Sequence, residues 1–392
     1  MNWYFTERDR KNEVDDGASV SDIGVIFSAE EKPDLAGTYL VDEETGEAEK
    51  MTDDQEKSWR DARISAAESG SRAKAGSGVT KELAAADTKG TPFENHGVLS
   101  VDGADLMDEK GKAYQLKGVS THGLAWFPQY VNEDAFRTLR DDWGASLVRL
   151  AMYTAESGGY CTDGDRQALE KTIDTGVKAA TDLGMYVIID WHVLSDLTPL
   201  KYEDQAVDFF GRMSKKYADN GNVLYEICNE PNGGTSWSDI KAYAERVIPV
   251  IRANDPDSII IVGTPTWSQE VDKAAADPIS TYDNIMYAMH FYAATHKEDL
   301  RNRLISARKS GLPVFISEFS ICDASGNGGV DYDSAAAWKK LIVENNLSYA
   351  GWSLCNKNET SALLKPEVTK VNGGWTDDDL SETGLWLKKM ME

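Results

Sequence analysis

From about Phe93 onward the chain alternates two kinds of pattern. Short apolar runs rich in β-branched residues, each bounded by turn formers, occupy residues 114–121, 146–154, 186–193, 223–231, 258–267, 285–293, 313–320 and 349–357. Their start-to-start spacings are 27–40 residues. Between them lie stretches whose apolar residues recur every three or four positions. NEDAFRTLRDDW opens on a capping Asn132, and DRQALEKTIDTGVKAATDLG stops at Gly184, the usual punctuation of helices. Strand alternating with helix at this period predicts βα units around a parallel sheet. Eight such units fit a (β/α)8 barrel, whose usual size is about 250 residues. A doubly wound open sheet is the competitor. Its first strand would lead into a G-x-G-x-x-G turn, and GVSTHGLAW lacks that spacing. The preceding GVLSVDGADLMDEKGKAYQL predicts a hairpin turning at Lys110–Gly111 that closes the bottom of the barrel.

Residues 1–90 show no sustained period. They read as an acidic, weakly ordered extension with one helix near residues 53–69, followed by a flexible small-residue linker, SAAESGSRAKAGSGVTKELAAADTKG. The expected organisation is therefore an α/β chain, with an acidic extension over 1–90 and a (β/α)8 TIM barrel over 91–392.

Composition narrows the partners. Of 392 residues, 41 are Lys or Arg and 66 are Asp or Glu, giving a net charge of −25. That balance repels nucleic acid and anionic membranes. No run of about 18 apolar residues is present to span a bilayer. The N-terminus lacks the basic and apolar regions of a signal peptide, so the chain is either not exported or has lost its signal. The four cysteines, Cys161, Cys228, Cys322 and Cys355, form no CxxC pair and read as free, packed thiols. Eleven tryptophans suggest a partner with flat apolar faces, such as an uncharged sugar polymer.

In a barrel of this kind, chemistry collects at the C-terminal ends of the strands. Every run delivers a polar or aromatic group there: His122, then Arg149 and Tyr153, Asp190 and His192, Asn229 and Glu230, Trp267, His290 and Tyr292, Glu318, and Trp352. Glu230 and Glu318 each end an otherwise apolar run, where an ionised carboxylate is costly unless paired or used. One such glutamate could be a structural ion pair. Two, on strands four and seven of one barrel, are what glycosidic bond cleavage needs: a protonated acid for the leaving oxygen and an ionised group at the anomeric carbon. Asp190 shares a face with His192, and either orients it or pairs with a barrel arginine.

The motifs STHGLAWFP, VRLAMY, DWH, NEP, HFYA, SEF and GWSLCNK, in this order, closely resemble the cellulase branch of glycoside hydrolase family 5. The resemblance covers residues 95–391 and implies a retaining endo-β-1,4-glucanase with no metal or organic cofactor. By that resemblance Glu230 is the acid/base and Glu318 the nucleophile. Arg149 lies against the nucleophile, where a cation favours the charged carboxylate. Asn229 holds the sugar 2-hydroxyl, Tyr292 bonds the nucleophile, His290 contacts the acid/base, and His192 supports the site. His122, Tyr153, Trp352, Lys357 and Glu359 contact sugar, as do Trp126 and Trp237 as platforms. Trp267 is either a platform or core. The implied partner is a β-glucan polysaccharide or oligosaccharide, met outside the cell or at its surface by a monomer. Mannan, xyloglucan and mixed-linkage glucan remain alternative substrates. A metal-dependent barrel hydrolase would want His-x-His on strand one, which offers only Thr121-His122-Gly123. A non-catalytic glycan-binding barrel would be expected to lack one glutamate.

Overall fold

The computed structural model describes residues 81–85 and 89–392 in full and, nearer the N-terminus, the backbone of three short strands. The chain divides into two compact units, 1–77 and 78–392. In the first, β1 (Trp3–Thr6) pairs parallel with β2 (Thr38–Val41), which pairs antiparallel with β3 (Ala48–Lys50). The helix expected near 53–69 lies outside the described residues, as does most of the linker.

The second unit begins earlier than the boundary expected at residue 91. The Ala84 amide donates to the Ala113 carbonyl at 2.8 Å, and the Ala113 amide to Glu82 at 2.9 Å. Next come the short helix α1 (Pro92–His96) and the hairpin β4 (Ser100–Asp102)–β5 (Asp105–Met107). The hairpin turns at Gly103–Ala104, not at Lys110–Gly111. Asp-Gly is the stronger turn signal, and Gly103 sits at φ +61°, where a side chain would be strained. Lys110–Gly111 is a second, separate turn. There the Asp108 carboxylate accepts the Lys110 and Lys112 amides, and a bridge forms between Met107 and Ala113.

The rest is a closed parallel barrel of eight strands: β6 (Lys117–Thr121), β7 (Leu147–Tyr153), β8 (Tyr186–His192), β9 (Val223–Glu226), β10 (Ile260–Val262), β11 (Ile285–Tyr292), β12 (Val314–Ser320) and β13 (Tyr349–Leu354). Around it run α2 (Glu133–Trp143), α3 (Arg166–Asp182), α4 (Glu203–Lys216), α5 (Trp237–Arg252), α6 (Val271–Ala276), α7 (Glu298–Lys309), α8 (Tyr332–Glu344) and α9 (Glu382–Met391). Asn132 caps α2 and Asp165 caps α3, each by accepting a backbone amide in the first turn.

Alternation along the strands decides what enters the barrel. On β7, Val148, Leu150 and Met152 join the core beneath the helices, while Leu147, Arg149, Ala151 and Tyr153 point inward. The lower interior is apolar. Leu116, Leu147, Ile188, Leu224, Ile261 and Phe315 fill it, and the hairpin residues Leu99 and Leu106 cap it from below. Buried His96, bonded to Asp108 at 3.1 Å and stacked on Tyr114, belongs to this floor rather than to any cleft. Apolar packing at one end leaves the inward polar residues no direction but the other.

Candidate active site

Arg149 stands at the centre of the barrel, fully buried, and gathers groups from four other strands or their ends. Its Nε donates to Glu226 at 2.7 Å and its Nη2 to Asn229 Oδ1 at 2.6 Å. Nη1 reaches Ser120 at 3.2 Å and Glu318 at 3.3 Å, and Asp190 lies 3.0 Å from Nη2. A planar guanidinium with five donors suits such a cluster, and the surrounding carboxylates keep it charged against the cost of burial. Asp190 therefore does both things considered from sequence: it also binds His192 Nδ1 at 2.6 Å.

The two glutamates meet across the barrel mouth. Glu318 accepts the Tyr292 hydroxyl at 2.7 Å, and Glu230 contacts His290 Nδ1 at 2.9 Å. Their carboxylate oxygens approach within 4.8 Å. Burial pushes the Glu230 carboxyl above the usual carboxylate range, and the nearby Glu318 adds to this. Burial alone would lower the His290 imidazole, but its bonds towards Glu226 and Glu230 outweigh that and raise it to about 9. His192, buried and close to Arg149, is held down to about 3. Two histidines at one barrel mouth are thus shifted in opposite directions.

Both inward positions on β12 are used in succession. Pairing between β12 and β13 shifts register between Ile316 and Phe319. At that irregularity Ser317 and Glu318 both reach interior partners, which strict alternation would forbid.

Around this centre opens a cavity of about 710 Å3. On the β13–β6–β7 arc it is lined by Trp126, Tyr153 and Trp352, grouped around His122. Trp352 also lies over the His192 ring, with centroids 5.3 Å apart and 20° between the planes. Lys357 binds Glu359 at 2.6 Å, and Glu359 lies 3.5 Å from His122. Burial opposes charge on Glu359, but hydrogen bonds from His122 and Lys357 hold its carboxyl below the ordinary value. The β10–β12 arc contributes Trp267, Gln269, His296, Ala324 and Ser325. Trp267 is 46% exposed on a turn where Thr266, Trp267 and Ser268 all have left-handed φ, so it belongs to the cleft rather than to core.

Trp237 is a correction. It begins α5 just after its cap, Ser236, and is only 8% exposed. Its ring packs on Tyr287 and its Nε1 donates to the Asp277 carbonyl, outside the cleft. A tryptophan shortly after NEP looks like a platform in sequence, but starting a helix turned it into the core. Sequence reading gave no role to Glu226, Ser317, Glu156, Gln269 or His296. Glu226 carried a readable signal, an ionisable side chain inside the apolar run VLYEI.

Among the described residues two trios bring potential metal-ligand atoms within 4.8 Å: Glu230, His290 and Glu318, and separately His122, Cys355 and Glu359. Both already have protein partners, Tyr292 and Arg149 in the first and Lys357 in the second. Cys228, Cys322 and Cys355 are buried free thiols, and burial raises all three.

Residues 107–358 match the family model described as Cellulase (glycosyl hydrolase family 5). The chain is 50% identical over 294 residues to an endoglucanase of Clostridium saccharobutylicum, covering 75% of this chain and 64% of that protein. It is 48% identical over 295 residues to endoglucanase A of Butyrivibrio fibrisolvens, covering 74% and 68%. The chain thus spans roughly two thirds of the length of these relatives. Among solved structures, the catalytic domain of Thermobifida fusca endoglucanase Cel5A in complex with cellotetraose is similar, with TM-score 0.71 and 38% identity. That match covers 77% of this chain and 99% of that one.

Proposed function

Because the chain belongs to glycosyl hydrolase family 5, we propose that it is an endo-β-1,4-glucanase that retains anomeric configuration, with the barrel unit carrying the activity. The observation that carries this reading is the pair of buried carboxylates whose oxygens approach within 4.8 Å. Retaining enzymes hold their carboxyl groups about 5–5.5 Å apart, whereas inverting enzymes leave about 6.5–9.5 Å for a water. The environments also differ as the two roles require. Glu230 is raised by burial and suits a proton donor, while Glu318 faces the Arg149 cation and the Tyr292 hydroxyl.

In the first step Glu318 attacks the anomeric carbon as its bond to the leaving oxygen breaks, and Glu230 gives that oxygen its proton. In the second, Glu230 takes a proton from water, whose oxygen attacks the anomeric carbon and releases Glu318. Arg149 holds Asn229 with its Oδ1 engaged, leaving the amide nitrogen to face Val193 and the sugar 2-hydroxyl. Trp126, Tyr153 and Trp352 supply stacking faces on one arc and Trp267 on the other, as expected for a chain of pyranose rings that extends both ways from the cut. Such a polymer cannot enter a cell, so the enzyme is expected to work outside it, as a monomer.

Proton NMR during cellopentaose hydrolysis tests the reading: the first product formed should be the β-anomer. Glu318→Gln should lower turnover roughly 10^4-fold or more, as removing a covalent nucleophile does, yet leave oligosaccharide binding by calorimetry intact. An initial α-product, or surviving turnover in the variant, contradicts it. Parallel assays on carboxymethylcellulose, lichenan, xyloglucan and mannan then rank the substrates.

A further inference from the structure

Glu226 touches groups on both sides of the site. It is wholly buried at the inner face of β9. Its Oε2 accepts from Arg149 Nε at 2.7 Å, and Arg149 in turn reaches Glu318. Its Oε1 accepts the Ser317 hydroxyl at 2.6 Å. Ser317 Oγ lies 2.9 Å from His290 Nε2, and His290 Nδ1 lies 2.9 Å from Glu230 Oε1. The four side chains therefore form a continuous buried line from Glu226 to Glu230.

The donors along that line are determined by elimination. An ionised carboxylate only accepts, so Ser317 must spend its single hydrogen on Glu226. Its remaining lone pairs can then only accept, which requires a hydrogen on His290 Nε2. With Nε2 protonated, the contact between Nδ1 and Glu230 Oε1 holds one proton, on the imidazole or on the carboxyl. We propose that Glu226 is a positioning residue for the acid/base: through Ser317 it fixes the hydrogen on His290 Nε2, so that His290 and Glu230 share a single proton. This rests on the assignment of Glu230 as acid/base and extends it.

Glu226 is suited to the role because it stays ionised. Burial would raise it, but Arg149 and His290 bring it down to about 2. Its other neighbours are His290 Nε2, 3.8 Å from its Oε1, Asp190, opposite it on β8, and Ile261 on β10, which carries no charge. Asp190 is itself tied to Arg149 and His192 and does not reach Ser317. Losing Glu226 has a definite consequence. The amide of a glutamine can donate to Ser317, which frees the Ser317 hydrogen to turn towards Nε2. His290 then carries its hydrogen on Nδ1 and donates to Glu230, favouring the ionised carboxylate and leaving the acid without its proton.

The test is leaving-group dependence. Glu226→Gln should lower kcat/KM on cellopentaose by about ten- to a hundredfold, the lower part of what general acid catalysis provides. On 2,4-dinitrophenyl β-cellobioside, whose leaving group needs no proton, the loss in kcat/KM should be roughly tenfold smaller than on cellopentaose. The alkaline limb of the cellopentaose pH profile should move about one unit towards acid. Ser317→Ala, which leaves the Glu226–Arg149 bond in place, should reproduce the leaving-group pattern, and Ser317→Thr should restore wild-type behaviour. Equal losses on both substrates in Glu226→Gln, or an unshifted pH limb in Ser317→Ala, overturn the proposal. Glu230→Gln is the control for the underlying assignment: if it lacks the same leaving-group pattern, the acid/base reading itself fails.

Discussion

Two buried histidines at the barrel mouth, His192 and His290, are shifted in opposite directions, and their pH behaviour should be visible in stability. His192 is held to about 3, below its ordinary 6.5. Its contribution is present above 6.5 and is lost as pH falls from there towards 3. His290 is raised to about 9, so its contribution is complete below 6.5 and is lost as pH rises through 9. The thermal unfolding midpoint, measured from pH 4 to 10, should therefore peak near 6.5. His290→Asn should flatten the alkaline arm and leave the acid arm in place. A midpoint that keeps rising to pH 9 would show that His290 is not charged in the folded protein. At this scale much was readable beforehand. Arg149, His192, His290, Tyr292 and Glu318 lie on barrel strands and Glu230 just beyond β9, within runs whose polar residues stand out against apolar neighbours. Ser317 was not readable, because its inward direction depends on a register shift that no local pattern announces.

Among the elements, the segment after β9 carries Asn229 and Glu230, and it is seated by its neighbour β10. The Ser268 hydroxyl donates to the Asn229 carbonyl at 2.6 Å, and the Trp267 amide to that of Pro231 at 3.0 Å. Gly263, at the end of β10, permits this closeness. A Cβ there would lie 2.3 Å from the Cys228 carbonyl oxygen and 3.0 Å from the Pro231 ring. Backbone cannot rotate away as a side chain can, so the segment itself must move. Gly263→Ala should cost about 1–3 kcal/mol of stability by overpacking. It should also lower kcat roughly tenfold or more, since small displacements of a catalytic group are expensive. Chemical denaturation and steady-state kinetics on one preparation check both. A stable variant with wild-type kcat would mean that the segment is held by other contacts. The strands and helices themselves were legible from periodicity, whereas this seating depends on two non-adjacent loops meeting. The same limit explains Trp237, whose sequence position suggested a platform and whose helix start sent it inward.

For the whole molecule, the charge of −25 acts at long range while the cleft chemistry is short-range. A neutral glucan is indifferent to that charge, but carboxymethylcellulose is a polyanion and should be repelled. Raising salt from about 10 to about 150 mM shortens the screening length from roughly 30 to 8 Å. It should then raise kcat/KM on carboxymethylcellulose several-fold and leave cellopentaose nearly unchanged. An equal response on both substrates would place the salt effect in the site rather than in the field. Among the described residues no helix is long and apolar enough to cross a membrane.

The amino-acid sequence alone determined the eight-fold alternation, the sense in which its polar residues face, and the candidacy of two glutamates. Period and residue type are local quantities, and the barrel follows from repeating them. The tertiary structure alone decided that the carboxylates approach within 4.8 Å, that Glu226 joins both sides of the site, and that the barrel unit reaches back past residue 91 to pair with Ala113. Those facts depend on barrel closure, which sets the distances between residues far apart in the chain, and on a register shift in β12 that adds an inward side chain where alternation allows none.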